Sequence, residues 1–285
     1  GILIILLTTF LFPIMLLLMK YFWVPITSVY PMMSEIKILL FTFLSFGLLG
    51  FLDDAKKTFV MKSDYFGLRL RHKLILEIFI SFVISFWLFT ELKIDIFYVP
   101  LFGVIQMGWW FIPFSMFVII SFSNAFNITD GLDGLASGVL LIALGAFWIV
   151  SASILDTPLS VFIALWLGSI LAFLYFNVFP ARIFLGDTGA LSFGATLAVV
   201  ALILGKAPAL VIIGWVYVVE VTSSLIQLLY KKFTKKKLFA AAPFHLFLQY
   251  HGWQEPKIVM RFWILSIVCA IFGLWLALLT QFPLK

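Results

Sequence analysis

Three short stretches concentrate the residues able to do chemistry. The first is Phe51-Leu52-Asp53-Asp54, two adjacent carboxylates at the end of an apolar run. The C-terminal end of a helix carries partial negative charge and neighbouring carboxylates repel, so a cation should compensate them. Lys56 and Lys57 could supply it, and so could a divalent ion carrying a substrate phosphate. The second stretch is Asn124-Ala-Phe-Asn127-Ile-Thr-Asp130-Gly-Leu-Asp133-Gly134, with polar side chains every three residues. On a helix, near neighbours in such a series face similar directions. Its two glycines suit a turn that lets a ligand approach the backbone. Capping of the next helix by Asp133 would explain one residue of the four, whereas a polar ligand would explain all. The third stretch runs from Asn177 through Pro180, Arg182 and Phe184 to Gly186-Asp187-Thr188-Gly189. Asp187 or Thr188 could cap a helix there, and a helix N-terminus is also a natural phosphate site. Arg182 adds a charge suited to phosphate, and Phe184 a ring on which a base could stack.

Two further features are weaker. Lys231, Lys232, Lys235, Lys236 and Lys237 precede Pro243-Phe244-His245, and fit attraction to anionic lipid. Glu77 and Glu220 lie inside apolar runs, where a carboxylate is costly and points to function, less so within a turn of the run's end. Taken together, these residues offer hard oxygen ligands for Mg²⁺ and basic groups for phosphate. No Cys/His cluster suggests zinc, and neither a Walker-type loop nor a G-x-S-x-G elbow is present.

The elements that must position these residues are membrane helices. Of 285 residues, 64% are hydrophobic and 11% charged, where a soluble domain runs nearer half and a quarter. Nine apolar segments can be read, at 2–19, 36–52, 74–90, 109–123, 135–155, 159–176, 189–204, 209–230 and 262–282. Most are long enough to span a bilayer as helices; 109–123 and 189–204 are short, so their ends should extend or the bilayer should thin there. The runs lack the alternation of a membrane barrel, so the expected fold is all-α, a polytopic membrane helix bundle. If each segment crosses once, loops 53–73, 124–134, 177–188 and 231–261 share one side. They carry six, none, one and seven basic residues, fourteen of the nineteen Lys and Arg. The others are Lys20, Lys37, Lys93, Lys206 and Lys285, so the first side is expected to be cytoplasmic. Asp53, Asp54, Asp64, Asp130, Asp133, Asp187 and Glu255 then share it. Three Asp-bearing loops open onto one face.

In motif order, the chain resembles the polyprenyl-phosphate N-acetylhexosamine-1-phosphate transferase superfamily. The stretches that carry the likeness are Phe51-Leu-Asp-Asp-Ala-Lys-Lys57, Asn124-Ala-Phe-Asn-Ile-Thr-Asp-Gly-Leu-Asp-Gly-Leu-Ala-Ser-Gly138 and Phe184-Leu-Gly-Asp-Thr-Gly189. The tail, Ala242-Pro-Phe-His245 through Gly252-Trp-Gln-Glu-Pro-Lys-Ile-Val-Met-Arg-Phe-Trp263, narrows it to the phospho-N-acetylmuramoyl-pentapeptide transferase branch. This resemblance implies transfer of phospho-MurNAc-pentapeptide from UDP-MurNAc-pentapeptide to undecaprenyl phosphate, giving lipid I and UMP. It implies a ten-helix homodimer with Mg²⁺ in a cytoplasmic cleft of the bacterial plasma membrane. Asp53, Asp54 and Asp187 would be the catalytic carboxylates, with Asp187 on the metal. Asn127, Asp130, Asp133, Asn177, Phe184 and His245 would bind the nucleotide and substrate, with Phe184 against uracil. Lys57 and Lys73 would sit near the lipid phosphate. Membrane lipids are expected partners and nucleic acid is not.

Two departures stand out. The branch carries three consecutive histidines where this chain has His245-Leu246-Phe247. It also has a further N-terminal helix and a Lys-containing loop, of which Gly1-Ile2 resembles the end. The expectation is a single transferase domain over 1–285 without that first helix. A sister transferase of N-acetylglucosamine phosphate is disfavoured by the tail motif. A transporter is disfavoured by polar residues crowding one face with no internal repeat, and an inactive scaffold by three Asp loops it would not need.

Overall fold

The computed structural model describes residues 1–59, 68–99 and 103–279. Lys62, Asp64 and Lys285, counted in the charge argument, lie outside them. The described chain is helical almost throughout: α1 (Ile2–Tyr21), α2 (Met32–Phe59), α3 (Leu70–Thr90), α4 (Phe111–Thr129), α5 (Leu135–Ser153), α6 (Thr157–Asn177), α7 (Gly186–Ile203), α8 (Ala207–Ile213), α9 (Trp215–Thr234), α10 (Phe244–Tyr250) and α11 (Glu255–Leu278). Eight of these are long and apolar enough to cross a membrane, and α8 with α9 makes a ninth if counted as one span.

Among the described residues, each segment read from the sequence falls largely on helix. The two short ones extend: α4 continues to Thr129, and α7 starts at Gly186. Segment 209–230 is not one straight span, because the chain bends by 82° between α8 and α9, around Gly214. Its apolar run is continuous there, so the bend comes from packing, with Phe122 and the Leu210 carbonyl lying where a side chain at Gly214 would point. Outside the spans, β1 (Ile96–Val99) and β2 (Gly103–Gln106) form a small antiparallel hairpin, pairing Ile96 with Gln106.

Helix α7 is the axis of the bundle. Residues Thr188–Ile203 are all buried, and many of them are Gly, Ala, Ser or Thr. Lipid tails give helices little hydrophobic drive to associate, so small residues that let backbones approach become the adhesive. Two contacts display this. A Cβ at Gly50 of α2 would lie 2.1 Å from the Asp187 carbonyl oxygen, and one at Gly194 of α7 would lie 2.2 Å from the Phe122 carbonyl oxygen of α4. Gly50 therefore brings Asp53 and Asp54, one turn further on, against the start of α7. An aromatic cluster fills the middle: Phe43 stacks on Phe193 at 5.7 Å between centroids, and Phe126 on Tyr217 at 5.1 Å. The Tyr217 hydroxyl donates to the Ala136 carbonyl (2.8 Å), so this buried polar atom is satisfied.

At the other helix ends, the 22–31 connection docks on the start of α6. Thr157 N donates to the Thr27 carbonyl (2.9 Å), and Asp156 caps α6 by accepting from Leu159 N (3.4 Å). The three Asp loops thus gather at one end and the hairpin and caps at the other.

Candidate active site

Asp53 and Asp54 do not end their helix, because α2 runs on to Phe59 with Lys56 and Lys57 in its last turn. Those lysines complement the helix C-terminus, and Lys57 also pairs with Asp53 one turn before it. Being adjacent, the carboxylates diverge. Asp54 turns to the N-terminus of α7, whose first N–H groups have no partner within the helix. Its Oδ1 accepts from Asp187 N (3.1 Å), and its Oδ2 from Thr188 N (2.9 Å) and Thr188 Oγ1 (2.7 Å). Neither Asp187 nor Thr188 caps α7 with its own side chain; Asp54 supplies the cap from another helix. Gly186, at φ +71°, takes the left-handed turn that starts α7 here, and a Cβ on it would come within 2.7 Å of Asp54 Oδ2.

Asp53 faces the other way and is buried. Its Oδ1 accepts from Leu68 N, and its Oδ2 lies 3.1 Å from Lys57 Nζ and 3.6 Å from Lys73 Nζ. The same two ammonium groups lie 3.1 and 2.8 Å from Asp187 Oδ2. Two carboxylates from α2 and α7 and two lysines from α2 and α3 therefore form one balanced cluster. On α3, one turn beyond Lys73, buried Glu77 accepts from Asn124 Nδ2 (2.7 Å).

The Asn124 series does not share one face, because α4 stops at Thr129. Asn124 turns to Glu77, while Asn127, Asp130 and Asp133 line a cavity of about 300 Å³ together with Phe184 and Asp187. Burial, reinforced by the negative charges of Asp187 and Asp133, pushes the Asp130 carboxyl up to about 7. Near neutral pH it offers a ligand both a donor and an acceptor form. Asp133 does not cap α5: its Oδ2 accepts from Ala181 N (2.8 Å), and its own N–H donates to Glu255 Oε1 (2.6 Å). Asn177 also edges the cavity, with its amide committed to the protein, accepting from Ser137 Oγ (2.7 Å) and donating to the Ile183 carbonyl (2.9 Å). That bond holds the loop displaying Phe184, whose ring is 72% exposed and so free to stack.

His245 is buried beside Gly131, in the turn that carries Asp130 and Asp133, rather than lining the cavity. Glu220 holds it twice, accepting from His245 N (3.0 Å) and pairing with Nδ1 (2.9 Å). This leaves Nε2 toward that turn, where a Cβ on Gly131 would stand 2.7 Å from it. Arg182 is exposed, as is His72.

Three residues take roles that the sequence reading did not assign them. Thr188 anchors Asp54, Glu255 holds the Asp133 turn, and Trp263 donates from Nε1 to the Gly134 carbonyl (3.1 Å). The signal for Trp263 was Gly138, where a Cβ would lie 2.1 Å from Nε1.

Fold and site together define a polytopic helical membrane protein with an acid-and-lysine cluster beside a polar cavity at one end of its bundle. The sequence profile of glycosyl transferase family 4 matches residues 36–205, and the chain belongs to that family. The phospho-N-acetylmuramoyl-pentapeptide-transferase of Rickettsia montanensis is 40% identical over 257 residues, covering 83% of this chain and 71% of that protein. The protein of the same name from Borrelia turicatae (strain 91E135) is 39% identical over 273 residues, covering 89% of this chain and 76% of its own. The matched stretch 36–205 contains the whole lysine–aspartate cluster, while Glu220 and His245 lie beyond it.

Proposed function

We propose that this transferase moves phospho-MurNAc-pentapeptide from UDP-MurNAc-pentapeptide to undecaprenyl phosphate, yielding lipid I and UMP, the membrane-bound step of peptidoglycan synthesis that its relatives' name describes. The observation that carries the reading is the cluster of Lys57, Lys73, Asp53 and Asp187 beside a nucleoside-sized cavity. An oxygen of the lipid phosphate attacks the phosphorus bonded to the sugar. The bond from that phosphorus to the bridging oxygen breaks, and UMP leaves with its electron pair. Such a transfer depends on positioning and charge neutralisation more than on covalent chemistry.

Each residue takes a part in this scheme. Lys57 and Lys73 are placed to hold phosphate oxygens, and Asp53 to orient the lipid phosphate between them. Asp54 fixes Asp187 through the cap on α7. Phe184 stacks on uracil, and Asn127, Asp130 and Asp133 face the nucleoside. Asn177 and His245 act by holding the loops that carry those residues. The lipid phosphate is largely ionised near neutral pH, so proton removal by Asp53 is a minor part.

The residues present fit Mg²⁺. Asp53 and Asp187 already converge on shared positive charge, and both offer hard oxygens of the kind Mg²⁺ takes beside phosphate and water. Asp187 would hold the ion directly, with Asp53 adjoining, and the ion would supply charge neutralisation for the pyrophosphate. The bias of Lys and Arg supports a cytoplasmic position for this end of the bundle, and the family resemblance supports a homodimer. The test offers the purified protein undecaprenyl phosphate with either UDP-MurNAc-pentapeptide or UDP-N-acetylglucosamine, with and without Mg²⁺. UMP release is expected only from the first donor and only with the ion. Release from the second donor alone would assign the chain to the sister activity, and release without the ion would remove the metal from the scheme.

A further inference from the structure

Glu77 lies 1% exposed on α3, inside a membrane span, and its two oxygens are treated differently. Oε2 accepts from Asn124 Nδ2 (2.7 Å), an amide that is also bonded to the Ile120 carbonyl (3.0 Å). Oε1 is buried with no hydrogen-bond partner. A buried carboxylate oxygen left unsatisfied is costly anywhere and more so within a bilayer. Such an atom calls for a partner that the present arrangement does not supply, and a neighbouring group can supply one. Lys73 precedes Glu77 by four residues on the same helix, a spacing that puts both on one face. Its ammonium now lies on Asp187 (2.8 Å) and within 3.6 Å of Asp53, the carboxylates that the proposed function assigns to a divalent cation. A cation arriving there must displace the positive charge already present.

We propose that Glu77 is a positioning residue that provides Lys73 with a second seat: Lys73 pairs with Asp187 and Asp53 when the site is empty and turns to Glu77 Oε1 when a divalent cation takes those carboxylates. The move is a rotation of one long side chain and needs no helix to shift. It keeps the lysine charge beside the incoming phosphates and lowers the cost of expelling it from the metal position. This inference rests on the metal assignment above and adds to it a specific coupling between two residues of α3.

The test measures Mn²⁺ binding, by paramagnetic resonance of the free ion, to the detergent-purified full chain and to Glu77→Gln, Lys73→Gln and the double variant. Glu77→Gln keeps an acceptor for Asn124 and removes the charged seat, so its Mn²⁺ affinity should fall about tenfold, a usual size for coupling between two sites. In the Lys73→Gln background there is no Lys73 to reseat, and Lys57 is the same with or without Glu77, so adding Glu77→Gln should change nothing. If Glu77→Gln does not fold, Glu77→Asp shortens the seat and should show a smaller loss that again vanishes without Lys73. An equal loss in both backgrounds would show that Glu77 acts only through Asn124 and would overturn the proposal, as would an unchanged affinity in Glu77→Gln. A parent protein that binds no Mn²⁺ would overturn the metal assignment first, and this inference with it.

Discussion

Adjacent side chains in this site have different work. Asp53 and Asp54 are chemically identical neighbours, yet one meets two lysines and the other caps α7. Their importance was legible in the sequence, because two carboxylates in an apolar run demand compensation. Their division of labour was not, since it depends on which helix end packs against α2. Asp54→Ala should therefore lower activity and also stability, the latter by the roughly 0.5–2 kcal/mol typical of a lost N-cap and read as a lower thermal unfolding midpoint. An unchanged midpoint would contradict the capping role. Asn177 and His245 were read as ligand contacts; the Asn177 amide is also engaged with Ser137 and the Ile183 carbonyl, and His245 Nδ1 with Glu220. A buried polar side chain near a site carries the same residue type whether it holds substrate or a loop. Phe184 presents the opposite case, an exposed ring with nothing stacked on it among the described residues. Phe184→Ala should weaken binding of uridine nucleotides by roughly 1–3 kcal/mol, measured by calorimetry. Unchanged affinity would place the base elsewhere.

Among the elements, the helices were readable because a bilayer requires long apolar runs, and every run but 209–230 falls on a single span. The break between α8 and α9 was not readable, since neither hydropathy nor a proline marks it. The hairpin at 96–106 was also missed, being too short and too mixed in composition to stand out. What aligns the elements at the site is the closeness of α2 and α7 at Gly50. Gly50→Ala would put a methyl group 2.1 Å from a backbone oxygen, and backbone cannot yield as a flexible side chain does. Overpacking of this kind costs about 1–3 kcal/mol, and here it would also separate Asp53 from Asp187. Both the unfolding midpoint and the rate of UMP release should fall. A variant with parent-level rate and midpoint would show that the helices are not held at that contact.

For the whole molecule, one end of the bundle gathers the acids, the lysines and the cavity, and most of the positive charge follows it. Lys236 and Lys93 are both exposed, on opposite sides by the topology. In a Cys269→Ser background, Lys236→Cys should react with an impermeant thiol reagent only from the cytoplasmic side and Lys93→Cys only from outside. Labelling of both from the same side would break the topology. The central claim, that phosphoryl transfer takes place at the Asp53–Asp187–Lys57–Lys73 cluster, is tested most directly by UMP release from folded Asp187→Asn. The substitution preserves shape and removes the charge that the two lysines now balance and that the cation is proposed to take. Activity at limiting Mg²⁺ should fall by roughly a hundredfold or more, the scale of losing one electrostatic contact to a transition state. Activity near the parent level under those conditions would contradict it.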